Sequence, residues 1–142
     1  MDDSAKIAHA KAAIDAYNAE DWDGWRKLHA PDVQYDEVST GRRMSGQDDI
    51  LEALRGWRAA FPDGRGEVTN AMVQGDTVVI EVTWTGTQTG EMVTPGGTLP
   101  PSGRSQTTRA CLVSEFADGR IASNRHYFDV MSMMQQLGAI PS

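Results

Sequence analysis

The sequence predicts an α+β domain, with helices laid against one face of a mainly antiparallel sheet. Two observations carry that expectation. Apolar residues recur at helical spacing as far as about residue 60 and alternate at a period of two after it. No internal repeat, low-complexity tract or linker divides the 142 residues, so 1–142 reads as one domain, large enough to bury a core without disulfides or a structural metal.

In "SAKIAHAKAAIDAYNA", residues 4–19, Ile7, Ala10, Ile14 and Tyr17 share a helical face behind Ser4 as the N-cap. "EDWDGWRKLHAPDV" carries Trp22, Trp25 and Leu28 on a short second helix, ended before Pro31 because proline disfavours helix at the residue it follows. "VQYDEV" is a brief strand. "RRMSG" leads into a third helix from Gln47 to about Ala60, whose buried stripe is Ile50, Leu51, Leu54 and Trp57. "FPDGRG" is turn chemistry. Four β-branched and aromatic segments follow: "EVTNAMVQ", "TVVIEVTWTGTQTG", "RSQTTRACLVSEF" and "RIASNRHYFDV". Turns at 75–76 and 117–119 and a Pro/Gly-rich loop at 95–103 separate them. The tail "MSMMQQLGAI" is short and helical.

Thirteen Lys and Arg stand against twenty Asp and Glu, a net charge of −7 with no basic stripe, which argues against a nucleic-acid partner. The single Cys111 excludes an internal disulfide and a cysteine-based zinc site and suits a reducing compartment. "MDDSAKIAHAK" lacks a basic and apolar leader, and no apolar run approaches the ~20 residues that cross a bilayer. A cytoplasmic protein without a membrane partner is expected. His9, His29 and His126 sit on three elements without metal-ligand spacing, so no metal is expected.

The candidate chemistry centres on "NRHYFDV", residues 124–130, where Asp129 interrupts an aromatic strand. An unpaired carboxylate out of water costs several kcal/mol, so Asp129 needs a partner, an aqueous exit or a task. Alternation sets Arg125, Tyr127 and Asp129 on one face and His126, Phe128 and Val130 on the other. With the first set inward, Asp129 is a carboxylate in an aromatic pocket, where burial raises its pKa toward acid–base use and a nearby Arg125 opposes the rise. An ion pair with Arg125 or Arg109, or a cap at the pocket mouth, fits the same residue. His126 then faces the surface or an interface, unless a bulge reverses the strand. Tyr35, Trp57, Trp84 and Tyr127 are candidates to wall a pocket for a flat substrate, although each also fits ordinary core. Arg109 is a candidate to orient a substrate carboxyl or to pair with Asp129 or Glu115.

The ordered segments "YNAEDWDGWRKLHAPDVQY", "GTQTGEM", "PPSGR", "FADGRI" and "YFDVMSMMQQLGAIP" resemble the SnoaL-like polyketide (ester) cyclases of the nuclear transport factor 2-like superfamily. No one motif is specific; the ordered set spans most of the chain. The resemblance implies a cone-shaped α+β barrel, three N-terminal helices packed on a strongly curved sheet. It implies cofactor-independent aldol-type ring closure, or related lyase or isomerase chemistry, on a small hydrophobic or polycyclic carbonyl compound, with Asp129 as general acid–base. Glu37, with Asp36 beside it, falls where the related ketosteroid isomerases keep a proton-shuttling aspartate, and a solvated strand-end pair is the plainer reading of both. Tyr17 occupies a helix position from which tyrosines of the superfamily donate to an oxyanion, and equally fits as core. Gln88 in "GTQTG" stands where relatives often carry a histidine, and an amide cannot titrate. Homodimers are common in the superfamily and are expected here, with Met131, Met133 and Met134 as an adaptable apolar rim or interface. Two other readings of the same cone remain: a non-catalytic binding or assembly module, and an epoxide-hydrolase-type enzyme using Asp129, Arg109 and Glu37 around a water.

Overall fold

A computed structural model describes residues 1–141. The elements run α1 (Asp3–Asn18), α2 (Trp22–Leu28), β1 (His29–Glu37), β2 (Arg42–Ser45), α3 (Gln47–Ala60), β3 (Arg65–Gln74), β4 (Thr77–Thr87), β5 (Met92–Thr94), β6 (Gly97–Leu99), β7 (Ser105–Ala117), β8 (Arg120–Phe128) and α4 (Val130–Gln136). The cap of α1 is Asp2 rather than Ser4: its carboxylate accepts from the Ala5 amide at 2.7 Å, satisfying one of the free N–H groups of the first turn.

Six strands form one sheet in the order β2-β1-β8-β7-β4-β3, and β5 with β6 makes a separate hairpin in what the sequence shows only as a Pro/Gly-rich loop. All pairs of the large sheet are antiparallel except β1 with β8. The sheet is curved and not closed, and the helices cover its inner face. Pro31 falls between His29 and Gln34, where the pairing of β1 with β8 is broken, so its missing N–H leaves no ladder bond unmade.

The inner face explains the helix positions. Val78, Ile80 and Val82 of β4, with Leu112 and Phe116 of β7 and Ile121 of β8, pack against Ala10, Ala13 and Ile14 of α1. Burying such side chains supplies about 1.5–3 kcal/mol each for the larger ones. Trp25 of α2, Val33 and Tyr35 of β1, and Ile50 and Leu51 of α3 form a second cluster. Ala60 and Phe61 meet Met92, Met133 and Leu137 in a third, which fastens α4 and the β5–β6 hairpin to the end of α3. No helix among the described residues is long and apolar enough to cross a membrane.

One local feature reverses an expectation. Between β7 and β8 the register passes from Glu115↔Ser123 to Phe116↔Ile121, so Ala122 is an extra residue opposite a single step of β7. Because side chains alternate with a period of two, that bulge flips the phase of everything after it. Ile121 points inward, and beyond the bulge Asn124, His126 and Phe128 do so, while Arg125 and Tyr127 point outward.

Candidate active site

The curved sheet and the helices form a partly open cavity of about 120 Å³, lined by aromatic and aliphatic side chains with a few polar ones. An apolar cavity of roughly 150 Å³ holds a benzene ring, so this space suits a compound of about one ring. No Asp, Glu, Lys or Arg among the described residues lines it.

His126 is one of its few polar wall residues. Register places it on β8 between Glu37 of β1 and Leu112 of β7. It is half-buried, and the cavity receives the face it keeps open. Its Nδ1 lies 2.7 Å from the Tyr35 hydroxyl, and the Trp84 indole N–H, at 3.3 Å, donates to its Nε2. An indole N–H can only donate, so Nε2 offers its lone pair and the ring proton belongs on Nδ1, pointing at Tyr35. Burial pushes His126 down to about 4, against the attraction of the nearby Glu37 charge, so at neutral pH it is a neutral imidazole.

Tyr35 hands the chain of hydrogen bonds on, its hydroxyl reaching Glu37 Oε2 at 3.4 Å. Glu37 is fully buried behind the cavity wall, and both of its carboxylate oxygens accept hydrogen bonds. Oε1 accepts from Thr40 Oγ1 at 2.5 Å and from Arg42 Nε at 3.0 Å, with Arg42 Nη2 at 2.9 Å, while Oε2 accepts from Trp57 Nε1 at 3.0 Å. Burial first, then the Glu37 charge, holds the Tyr35 hydroxyl well above its ordinary range, so Tyr35 remains a neutral bridge. The result is a relay from a carboxylate held by Arg42, through a phenol, to an imidazole facing the cavity.

Of the residues singled out in the sequence, Tyr17, Tyr35, Trp57, Trp84 and Glu37 come together around this relay. Tyr17 and Trp84 both line the cavity and meet edge to face at 5.4 Å. Burial lifts the Tyr17 hydroxyl to about 12 although the Arg58 charge, stacked on its ring, opposes the rise. Asp129, Tyr127, Arg125 and Arg109 lie outside the cavity, the first three because of the phase of the chain beyond the bulge and Arg109 because it sits on the outer face of β7. Asp129 is exposed and caps α4, accepting from the Ser132 amide at 3.0 Å, so the pocket-facing carboxylate expected from alternation is not there. Tyr127 is 43% exposed on the outer face. Arg109 is exposed on the outer side of β7 and does not line the cavity, and Arg125 pairs with Glu115 at 2.6 Å. Asp36 turns away from Glu37 toward Arg43 at 3.8 Å. Gln88 is buried, but its amide ties Gly90 and Pro100 carbonyls together at the base of the 88–104 loop, outside the cavity wall.

His126, His29, Asn124 and Gln106 are cavity residues that alternation alone misses. One signal for the true phase was in the sequence: the set Arg125, Tyr127 and Asp129 carries two charges, whereas Asn124, His126 and Phe128 carries none at neutral pH.

The open, curved sheet capped by helices over one apolar cavity defines the nuclear transport factor 2-like class. The sequence profile of the SnoaL-like polyketide cyclases matches residues 7–137, and the chain belongs to that family. Among solved structures it is similar to a candidate SnoaL-like polyketide cyclase from Jannaschia sp. CCS1, with 25% identity and a TM-score of 0.86 over 98% of this chain and 95% of that one. It is similar also to IdmH, a candidate polyketide cyclase from Streptomyces antibioticus, with 26% identity and a TM-score of 0.80 over 94% and 98% of the two chains. A candidate ketosteroid isomerase from Kribbella flavida DSM 17836 shares the fold, at 20% identity and a TM-score of 0.69 over 90% and 80%. No curated protein matches the sequence.

Proposed function

We propose that this chain is a cofactor-independent acid–base enzyme that closes a ring in a small hydrophobic carbonyl compound by an intramolecular aldol step, with His126 as the proton-transfer group. The observation that carries this reading is a neutral imidazole on the wall of an apolar cavity, its Nε2 holding the Trp84 N–H and its Nδ1–H leading through Tyr35 to a buried carboxylate. When substrate enters, the Trp84 N–H turns from His126 Nε2 to a substrate carbonyl oxygen, and the freed Nε2 lone pair takes the acidic proton between two carbonyls; the enolate carbon attacks a third carbonyl carbon, forming the C–C bond as that carbonyl's π pair becomes the alkoxide; the proton then returns from His126 to the new alkoxide. Glu37 makes the transient imidazolium cheaper, since the charge pair is bridged rather than left alone in a medium of low dielectric. The Trp84 N–H and the Tyr17 hydroxyl supply donors for the enolate oxygen. Benzoylacetone in D2O tests the first half-step: the protein accelerates exchange of its methylene protons, and His126→Gln loses at least a hundredfold of that rate. Exchange no faster than in buffer, or equal in the variant, removes the reading.

A second reading, a binding module without catalysis, draws support from the absence of charged side chains on the described cavity wall and from the structural use of Gln88. Tight ligand binding with no exchange activity distinguishes it. The epoxide-hydrolase reading needs carboxylates and an arginine around one water, and the neutral wall lends it no support. For assembly, the homodimer proposal rests on the outer sheet face, where Tyr127 and Met72 are exposed; equilibrium sedimentation of the protein gives twice the chain mass if it holds.

A further inference from the structure

The aldol reading uses one end of the cavity and leaves the other unexplained. There, β1 starts with His29, whose register partner on β8 is Ile121. His29 is 1% exposed and stacks on Trp25 at 3.8 Å. Its Nδ1 lies 2.6 Å from the Trp25 carbonyl. A carbonyl can only accept, so Nδ1 carries the proton and Nε2 is a bare acceptor. Among the described residues Nε2 has no hydrogen-bond partner. Among the described residues Arg58 Nε is the one enclosed, unpartnered side-chain N or O atom, so the free nitrogen of His29 is open to the cavity that the ring lines.

Asn124 complements it. It is 6% exposed and lies between the two histidines along β8, about 7 Å of strand from His126 and roughly 10 Å from the level of His29. Its amide oxygen accepts from Ser114 Oγ at 2.5 Å, a separation that belongs to O–H···O rather than N–H···O. The amide nitrogen is thereby turned toward the cavity, with two donors and no partner among the described residues. One free acceptor and one free donor, both reachable from the cavity and set in a wall of Ala10, Ala13, Ile14 and Ile121, match a ligand that answers both at once.

We propose that the cavity binds a single-ring compound bearing a hydroxyl opposite a carbonyl: His29 Nε2 accepts from the hydroxyl, and Asn124 Nδ2 donates to the carbonyl oxygen. This orients the carbon next to the carbonyl toward His126. The inference rests on the aldol reading for that last orientation, but the recognition itself needs no turnover. His29 is a binding residue of the substrate, and the substrate class is a hydroxylated aromatic or alicyclic ring whose ketone is one of the carbonyls of the aldol step.

The test is calorimetric titration of the full chain with 4-hydroxyacetophenone and with acetophenone, which differ only in the hydroxyl. The wild type binds the hydroxylated ring at least tenfold more tightly, because the apolar analogue leaves His29 Nε2 unpaired. In His29→Phe, which keeps the stack on Trp25, the preference falls to within twofold. If that variant does not fold, the 15N resonance of His29 Nε2 in the wild type serves: 4-hydroxyacetophenone shifts it upfield and acetophenone does not. Equal binding of the two rings, no binding of the hydroxylated one, a preference kept in His29→Phe, or an unmoved 15N signal each overturns the proposal. These results are independent of proton exchange at His126, so a failure here and a failure of the aldol reading are told apart.

Discussion

Acidification is the perturbation most directly fixed by this site. His29 and His126 are both held down to about 4 in the folded chain. Burial is the main cause for each. The Trp25 carbonyl bond raises His29 against it and the His9 charge lowers it further, while the Glu37 charge raises His126. An unfolded histidine takes its proton near 6.5. Between about pH 6.5 and 4 the unfolded state therefore binds two protons that the native state refuses, and stability falls as pH falls through that window. From pH 7 to 5 each histidine removes about 2 kcal/mol and the pair about 4 kcal/mol, a large part of the 5–15 kcal/mol of an ordinary domain. Asp63 and Glu115 are held below the usual carboxylate range by hydrogen bonds from Thr87 and Arg125, so their contributions are lost only at lower pH. Urea unfolding at pH 7, 6 and 5 reads the effect as a midpoint that drops by about 2 M for a slope near 2 kcal/mol per molar. His126→Gln, which cannot titrate, halves the drop. A midpoint that stays flat from pH 7 to 5, or a His126→Gln variant that keeps the whole slope, refutes the buried neutral imidazoles.

Two further outcomes follow from the packing. Glu37→Gln leaves Arg42, only 28% exposed, without its counter-charge, costing about 2–4 kcal/mol by urea unfolding, and slows the benzoylacetone exchange because the imidazolium loses its distant partner. Gly90→Ala sets a methyl 1.9 Å from the Ala59 carbonyl oxygen at the end of α3, so the 88–104 loop must move; a loss of about 1–3 kcal/mol, seen as a melting point several degrees lower, is expected. A Gly90→Ala chain as stable as the wild type contradicts that close approach.

The three helices and the long strands were legible because periodic apolar residues mark them, as the Ile50, Leu51, Leu54 and Trp57 stripe of α3 and the alternating Val78, Ile80, Val82 and Trp84 of β4 do, whereas the short β2 and the β5–β6 hairpin carry too few residues to show a period. Three features were not. The parallel pairing of β1 with β8 depends on contacts far apart in sequence, which local pattern does not encode. Strand β1 begins at His29, which follows helix-favouring residues and precedes Pro31, so the second histidine of the cavity looks like the end of a helix. The phase of β8 turns on Ala122, a small residue with no turn signature, and that one insertion exchanged Asp129 for His126 as the side chain on the cavity. Asp129 then meets the opening requirement of a carboxylate in a different way, with an aqueous exit and a helix to cap.

Proton exchange measured on two single variants side by side tests the central claim most directly. Asparagine caps helices as well as aspartate, so Asp129→Asn folds as the wild type does and exchanges the methylene of benzoylacetone within twofold of its rate, while His126→Gln falls at least a hundredfold. A collapse of exchange in Asp129→Asn with His126→Gln unaffected contradicts the account.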